Sequence, residues 1–211
     1  MNELERSSWI ESRRKRWFDV CLVLLALPFL VLLMGTLMVL ILVFDQTKPL
    51  FTQWRVGKNG VPFRFYKLTT LGKHRSVEPS QGSSDARATR LGRVLRWLIL
   101  DEVPQIAINV LIGNMSLVGP RPLLQADIDL MAARLSPEDF AAWYAAYSSV
   151  TPGWTGRFGV SSRKYKIQSR AYLEARKHCD IAYVREANWR IDVRTILVHA
   201  ILPFLDVNRS N

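Results

Sequence analysis

The chain has 211 residues, 49% of them hydrophobic, which suffices for one domain with a core plus a membrane element. Its formal net charge of +11 favours anionic partners (nucleic acid, acidic lipid headgroups or phosphorylated substrates) and argues against an acidic binding module. Only two cysteines occur, Cys21 and Cys179, so no disulfide framework is indicated, and His74, His178 and His199 lack metal-ligand spacing.

The first element in the chain is apolar. Val20 to Phe44 carries no charged residue over 25 positions, and about 20 helical residues span a hydrocarbon layer of about 30 Å. No small-x-small cleavage site follows, which argues against a secretory signal. Arg13, Arg14, Lys15 and Arg16 precede the run, and Lys48, Arg55, Lys58, Arg64 and Lys67 follow it. Basic flanks favour the cytoplasmic side, and here both flanks are basic. Pro28 removes one helical hydrogen bond and predicts a kink. The arm from Phe29 to Phe44 would be about 24 Å long, short of the full thickness. Two readings satisfy these residues: a re-entrant helix-break-helix that returns to the cytoplasmic face, and a single kinked spanning helix.

Pro49 to Leu71 alternates loosely through Phe51, Trp54, Val56, Phe63, Phe65 and Leu68, with turn residues at Gly57–Gly60, and predicts a short β-hairpin. The polar stretch 73–87 reads as a mobile loop. Thr89 to Asp101 has apolar residues at helical spacing (Leu91, Leu95, Leu98) with Arg90, Arg93 and Arg96 between them, the pattern of an amphipathic interfacial helix. Pro104 biases Val103 out of the helical region, which puts Asp101 and Glu102 at a helix end. A short helix is expected over 105–112, structured loops at 114–122 and 152–156, and helices over 123–147, 168–183 and 191–205. Pro137 and Glu138 mark an N-terminal turn after Ser136. The expected fold is mostly α with a short β-hairpin.

The chemistry concentrates at Asp101-Glu102. An adjacent acid pair is by itself a weak signal, but three neighbours strengthen it. Arg96 lies five residues upstream, within reach of a bound phosphate; Arg121 stands between two prolines; and apolar surroundings sharpen electrostatics. One carboxylate can attack an activated phosphoryl group and form an acyl phosphate. Its neighbour can hold Mg2+ through oxygen. Arginines can grip the remaining phosphate oxygens bidentately. No Walker loop or dinucleotide fingerprint is present.

These residues resemble the bacterial sugar transferases, the small monotopic phosphoglycosyl transferases. The resemblance runs from Lys15-Arg16-Trp17-Phe18-Asp19 through Pro28, Gln53-Trp54-Arg55-Val56-Gly57 and Leu100-Asp101-Glu102-Val103-Pro104-Gln105. It continues through Gly113-Asn114-Met115-Ser116-Leu117-Val118-Gly119-Pro120-Arg121-Pro122 and Pro152-Gly153-Trp154-Thr155-Gly156 to Asp180, Tyr183 and Asp192. It implies a single catalytic domain over residues 1–211. Residues 17–45 would form the re-entrant membrane helix, and 46–211 a membrane-associated catalytic region with interfacial helices on the cytoplasmic face of the bacterial inner membrane. The implied reaction moves a sugar-1-phosphate from a nucleoside diphosphate sugar, by family expectation a UDP-sugar, to polyprenyl (undecaprenyl) phosphate. Asp101 would be the nucleophile and Glu102 its partner, both close to Mg2+, with Arg96 and Arg121 on substrate phosphates. Lys67 and Asp180 are further substrate-binding candidates. Nucleic acid is not an expected partner, and a homo-oligomer is compatible with the pattern.

The chain departs from the family pattern at three places. Leu27 replaces the serine that usually precedes Pro28, Thr69 stands where an arginine is common, and Gly159 stands where a glutamine is common. The last two raise an altered donor choice or weakened activity, and with it two alternatives: a pathway scaffold, or a basic membrane-tethered binding module. Donor specificity is expected from the stretches 73–87 and 154–166.

Overall fold

The computed structural model describes residues 6–72 and 87–205. The expected loop over 73–87 therefore lies, apart from Arg87, outside the described residues. A short helix α1 (Ser8–Glu11) leads into α2 (Arg13–Leu40), which is extended by one wide turn over Ile41–Asp45. The whole is a 33-residue helical stretch, about 50 Å if straight. Helical assignment continues through Pro28, so the proline does not end the helix where a break was expected. Ser12 starts α2 by accepting from Lys15 N.

The buried residues of α2 and its extension are Lys15, Asp19, Val23, Leu30, Leu37 and Ile41. Their spacing in fours and sevens draws one stripe along the helix. The opposite side is apolar and open, with Leu25 82% and Leu32 72% exposed. The N-terminal end packs through Val23 with Phe63, Phe65, Val110 and Met115, and the C-terminal end through Leu37 and Ile41 with Leu68 and Leu95.

The predicted hairpin forms from β1 (Leu50–Val56) and β2 (Pro62–Leu68), antiparallel, with Leu50 opposite Leu68 and Val56 opposite Pro62. Asn59 and Gly60 carry positive φ in its turn, which those residue types tolerate. Phe63 and Phe65 point into the core while Trp54 lies exposed. Next comes α3 (Arg90–Trp97), capped by Thr89, whose hydroxyl accepts from Gly92 N at 2.8 Å.

The two sequence stretches read as loops are strands. Ser116–Val118 (β3) and Gly153–Thr155 (β4) pair in parallel, Ser116 against Gly153 and Val118 against Thr155. Gly119 N donates to Thr155 O and Gly153 N to Pro120 O, both at 2.9 Å. A Cβ on Gly153 would sit 2.0 Å from Gly119 N, so glycine is required for this approach. Between the strands lie α4 (Gln125–Arg134) and α5 (Pro137–Ser149). The single helix expected over 123–147 is thus two, divided where Ser136 caps the second. After β4 come α6 (Arg157–Ser161), α7 (Arg170–Glu186) and α8 (Trp189–Leu205). α4, α5 and α7 enclose their own core around Trp143, Met131 and Leu173.

A buried ionic knot joins the long apolar helix α2 to the rest. Lys15 Nζ lies 3.0 Å from Asp19 Oδ1 and 2.9 Å from Asp192 Oδ2 of α8. Ser116 Oγ of β3 donates to Asp19 at 2.7 Å, Trp9 Nε1 to Asp192 at 2.8 Å, and Tyr183 OH to Asp192 at 3.0 Å. Next to it, the Arg16 guanidinium donates to Val110 O and Leu111 O, the carbonyls ending the helical turns over 105–112. Two of the four basic residues read as a topology signal therefore also have structural partners.

Candidate active site

The acid pair is aimed by a break in the backbone. α3 closes at Leu98, and Ile99 then adopts φ 61°, ψ 20°. A β-branched residue in the left-handed region is strained by about 1–3 kcal/mol. The reversal converts the chain into a 3-10 turn over Leu100–Glu102 and carries both acids inward, where Asp101 is 7% and Glu102 5% exposed. The acids were expected at a helix end; they occupy a separate turn just past it.

Three elements supply the cations. Lys67, at the end of β2, places Nζ 3.0 Å from Glu102 Oε1 and 3.4 Å from Asp101 Oδ2. Arg121, in the loop that leaves β3, places Nη2 2.5 Å from Glu102 Oε1. The β3–β4 pairing fixes that loop. Arg55 of β1 stands behind them, 3.9 Å from Asp127, with Nη2 donating to Gln53 Oε1 at 2.9 Å. Burial, and then repulsion by Arg121, push its guanidinium down to about 10. Sequence reasoning counted Arg55 among the basic flanks of the apolar run and gave it no role in the site, although it lies in the Gln53–Gly57 motif.

The two carboxyls are driven apart. Burial raises Asp101, Lys67 partly opposes this, and the Glu102 charge raises it again. Burial would also raise Glu102, but the Arg121 and Lys67 charges reverse this and hold it well below the usual carboxylate range. Glu102 is thus a fixed anion between two cations, while Asp101 is a desolvated carboxyl with higher proton affinity than an ordinary one. Glu102 Oε2 is buried without a hydrogen-bond partner among the described residues.

The other candidates take different places. Arg96 donates from Nε to Thr70 Oγ1 at 2.8 Å, which ties α3 to the strand end near Lys67. Asp180 is buried in α7, where it accepts from Trp143 Nε1 at 2.9 Å. Burial raises its carboxyl to about 6 although the Arg176 charge draws it down. Its neighbours are Trp143 and Arg176. Pro28 belongs to α2, within the apolar surface.

Beside Arg121 opens a cavity of about 130 Å3, walled by Arg121, Trp154, Thr155, Phe158, Gly159, Tyr172 and Arg176. The expected specificity stretch 154–166 supplies much of this wall. Arg176 went unnoticed in the sequence. Its signal was an arginine four residues before Asp180, one helical turn away.

A desolvated carboxyl, an ionised neighbour and converging guanidinium and ammonium groups can together handle a phosphoryl group. The bacterial sugar transferase family matches residues 10–205, and the chain belongs to that family. It is 38% identical over 151 residues to a UDP-glucose:undecaprenyl-phosphate glucose-1-phosphate transferase of Caulobacter vibrioides, covering 70% of this chain and 54% of that protein. It is 38% identical over 117 residues to a UDP-N-acetylgalactosamine-undecaprenyl-phosphate N-acetylgalactosaminephosphotransferase of Aeromonas hydrophila, covering 54% of this chain and 27% of that protein. Against the exopolysaccharide production protein ExoY of Sinorhizobium fredii it is 30% identical over 220 residues, 93% of this chain and 87% of the relative. The chain thus spans about half the length of the first relative, about a quarter of the second and most of the third.

Proposed function

We propose that the chain transfers a sugar-1-phosphate from a UDP-sugar to polyprenyl phosphate through a covalent aspartyl intermediate, starting glycan assembly at the cytoplasmic face of the inner membrane. The observation that carries this reading is the asymmetry of the acid pair: one carboxyl locked as an anion by Lys67 and Arg121, the other desolvated beside it. An Asp101 carboxylate oxygen attacks the sugar-bearing phosphorus. The bond to the nucleoside monophosphate breaks and that group leaves with the electron pair. A phosphate oxygen of the polyprenyl acceptor then attacks the same phosphorus, and the Asp101 carboxylate is released as the polyprenyl diphosphate sugar forms. Lys67 neutralises charge on the attacked phosphoryl group, and Arg121 holds Glu102 and the phosphate side of the site.

The donor set suits Mg2+, which uses one or two carboxylates plus substrate phosphate oxygens. Glu102 Oε2 has no hydrogen-bond partner among the described residues, and Asp101 is its neighbour. Among the described residues no group of three or more His, Cys, Asp or Glu forms a ligand set, so phosphate oxygens would complete the shell. When bound, Mg2+ would supply charge neutralisation on the diphosphate.

Membrane attachment follows from α2. Both of its ends pack on the same body while the side between them is open and apolar. This supports a helix that enters the bilayer and returns, over one that crosses it.

The deciding experiment exposes the protein to UDP-sugar donors without acceptor. A mass increase of one sugar phosphate on the peptide bearing Asp101, with stoichiometric UMP release and loss of both in Asp101→Asn, is expected. Product formation with no adduct, or turnover by Asp101→Asn, overturns the mechanism.

A further inference from the structure

The cavity beside Arg121 is lined by hydrogen-bond donors that have no hydrogen-bond partner among the described residues. Arg176 is 5% exposed and held rigidly: its Cζ lies 4.6 Å from the Phe158 ring centre and 5.5 Å from that of Tyr172, and its Nη2 donates to Tyr172 OH at 3.0 Å. Its Nη1 is buried without a hydrogen-bond partner among the described residues. Two more buried polar atoms on the same wall share that condition: Thr155 Oγ1, on a residue 2% exposed, and Trp154 Nε1. A guanidinium N–H and an indole N–H can only donate, and a hydroxyl can donate. Leaving three such groups buried and unpaired forfeits their hydration without return, so an acceptor-rich ligand is the natural complement. Arg121 and Arg176 on the same wall make that ligand an anion. The space, about 130 Å3, is sufficient for a phosphoryl group with part of its substituent. Gly159 keeps the wall open, since a Cβ there would meet only Thr155 Oγ1 at 4.0 Å.

We propose that this cavity is a second phosphoryl pocket, in which Arg176, Thr155 and Trp154 hold a phosphate monoester with Arg121 at its edge. It rests on the phosphoryl-transfer reading above and adds a subsite to it. Asp101 takes the phosphorus that is attacked; the cavity takes a phosphate that is not. Two sources carry that chemistry: the nucleoside monophosphate part of the donor, and the phosphate of the polyprenyl acceptor. Arg121 bridges the two places, because it touches Glu102 and also lines the cavity.

The test titrates the full chain in detergent with inorganic phosphate, UMP and a short polyprenyl phosphate, reading affinity calorimetrically. Wild type and Asp101→Asn are expected to bind alike. Arg176→Gln and Gly159→Leu are each expected to bind at least about tenfold more weakly, the loss of one charge-assisted hydrogen bond or of the space for the ligand. Gly159→Leu adds a side chain to open space, so it decides the matter if Arg176→Gln does not fold. Weakened UMP binding with slowed adduct formation assigns the pocket to the donor. Weakened polyprenyl phosphate binding with normal adduct formation assigns it to the acceptor. Unchanged affinity for all three probes in a folded Gly159→Leu protein overturns the pocket. Activity in Asp101→Asn would instead overturn the nucleophile and leave the pocket standing, so the two failures are distinct.

Discussion

At Asp101 and Glu102 the same burial has opposite outcomes: Lys67 and Arg121 both lie against Glu102, at 3.0 and 2.5 Å, while Lys67 stands 3.4 Å from Asp101. The consequence is a pH signature. A carboxyl that must be ionised to attack, and whose proton affinity is raised, loses activity as pH falls through its raised pKa, above the ordinary aspartate value of about 4. The Glu102 charge is one cause of that rise, so Glu102→Gln should move the acid limb of the donor half-reaction to lower pH while slowing it. A limb that stays in place or moves upward in that variant counts against the coupling. Of this site, the acid pair and Arg121 were legible from their motifs and the family resemblance those carry. The partnership with Lys67 was not, because 34 residues separate it from Asp101 and only the β2 register brings it there.

The elements show why some candidate residues fall elsewhere. Asp180 points into the α5–α7 interface, where Trp143 Nε1 donates to it. Its carboxyl, at about 6, is raised in the folded state, so its stabilising contribution is complete below the ordinary aspartate range and is lost as pH rises through 6. The difference amounts to roughly 3 kcal/mol at full burial. Asp180→Asn should flatten the fall in melting temperature between pH 4 and pH 7; an unchanged slope in thermal scans would remove Asp180 from this account. The Lys15 knot gives the opposite case. Lys15→Met leaves Asp19 and Asp192 buried together without their cation and should cost about 3–5 kcal/mol. Chemical denaturation showing less than about 1 kcal/mol would mean the knot opens to water. The β3–β4 pair was read as loops because strands of three residues are too short to show periodicity, and a parallel partner 37 positions away leaves no local trace.

At the scale of the molecule, α2 is bound to the body at both ends and bare along its outer side. Cysteines placed at Arg13 and Gln46, with Cys21 and Cys179 replaced, should react with a membrane-impermeant reagent from the same side of sealed vesicles. Labelling from opposite sides would restore the spanning helix. Exposed apolar residues on α3 (Val94, Trp97) and α8 (Leu197, Phe204) suit elements that rest on the same bilayer surface.

Periodicity and turn chemistry determined what is local: the apolar helix, the hairpin, the helical turn after Ser136, and the helices after residue 123 apart from the division of the first and the short α6. The motifs also placed the acid pair and its arginine. Only tertiary structure decided which cations face which carboxyl, that Ile99 turns the pair inward, that Asp180 serves a helix interface, and that Arg176 opens onto a cavity. Those outcomes depend on burial and on contacts between residues far apart in the chain, and electrostatic strength in a desolvated site depends on both.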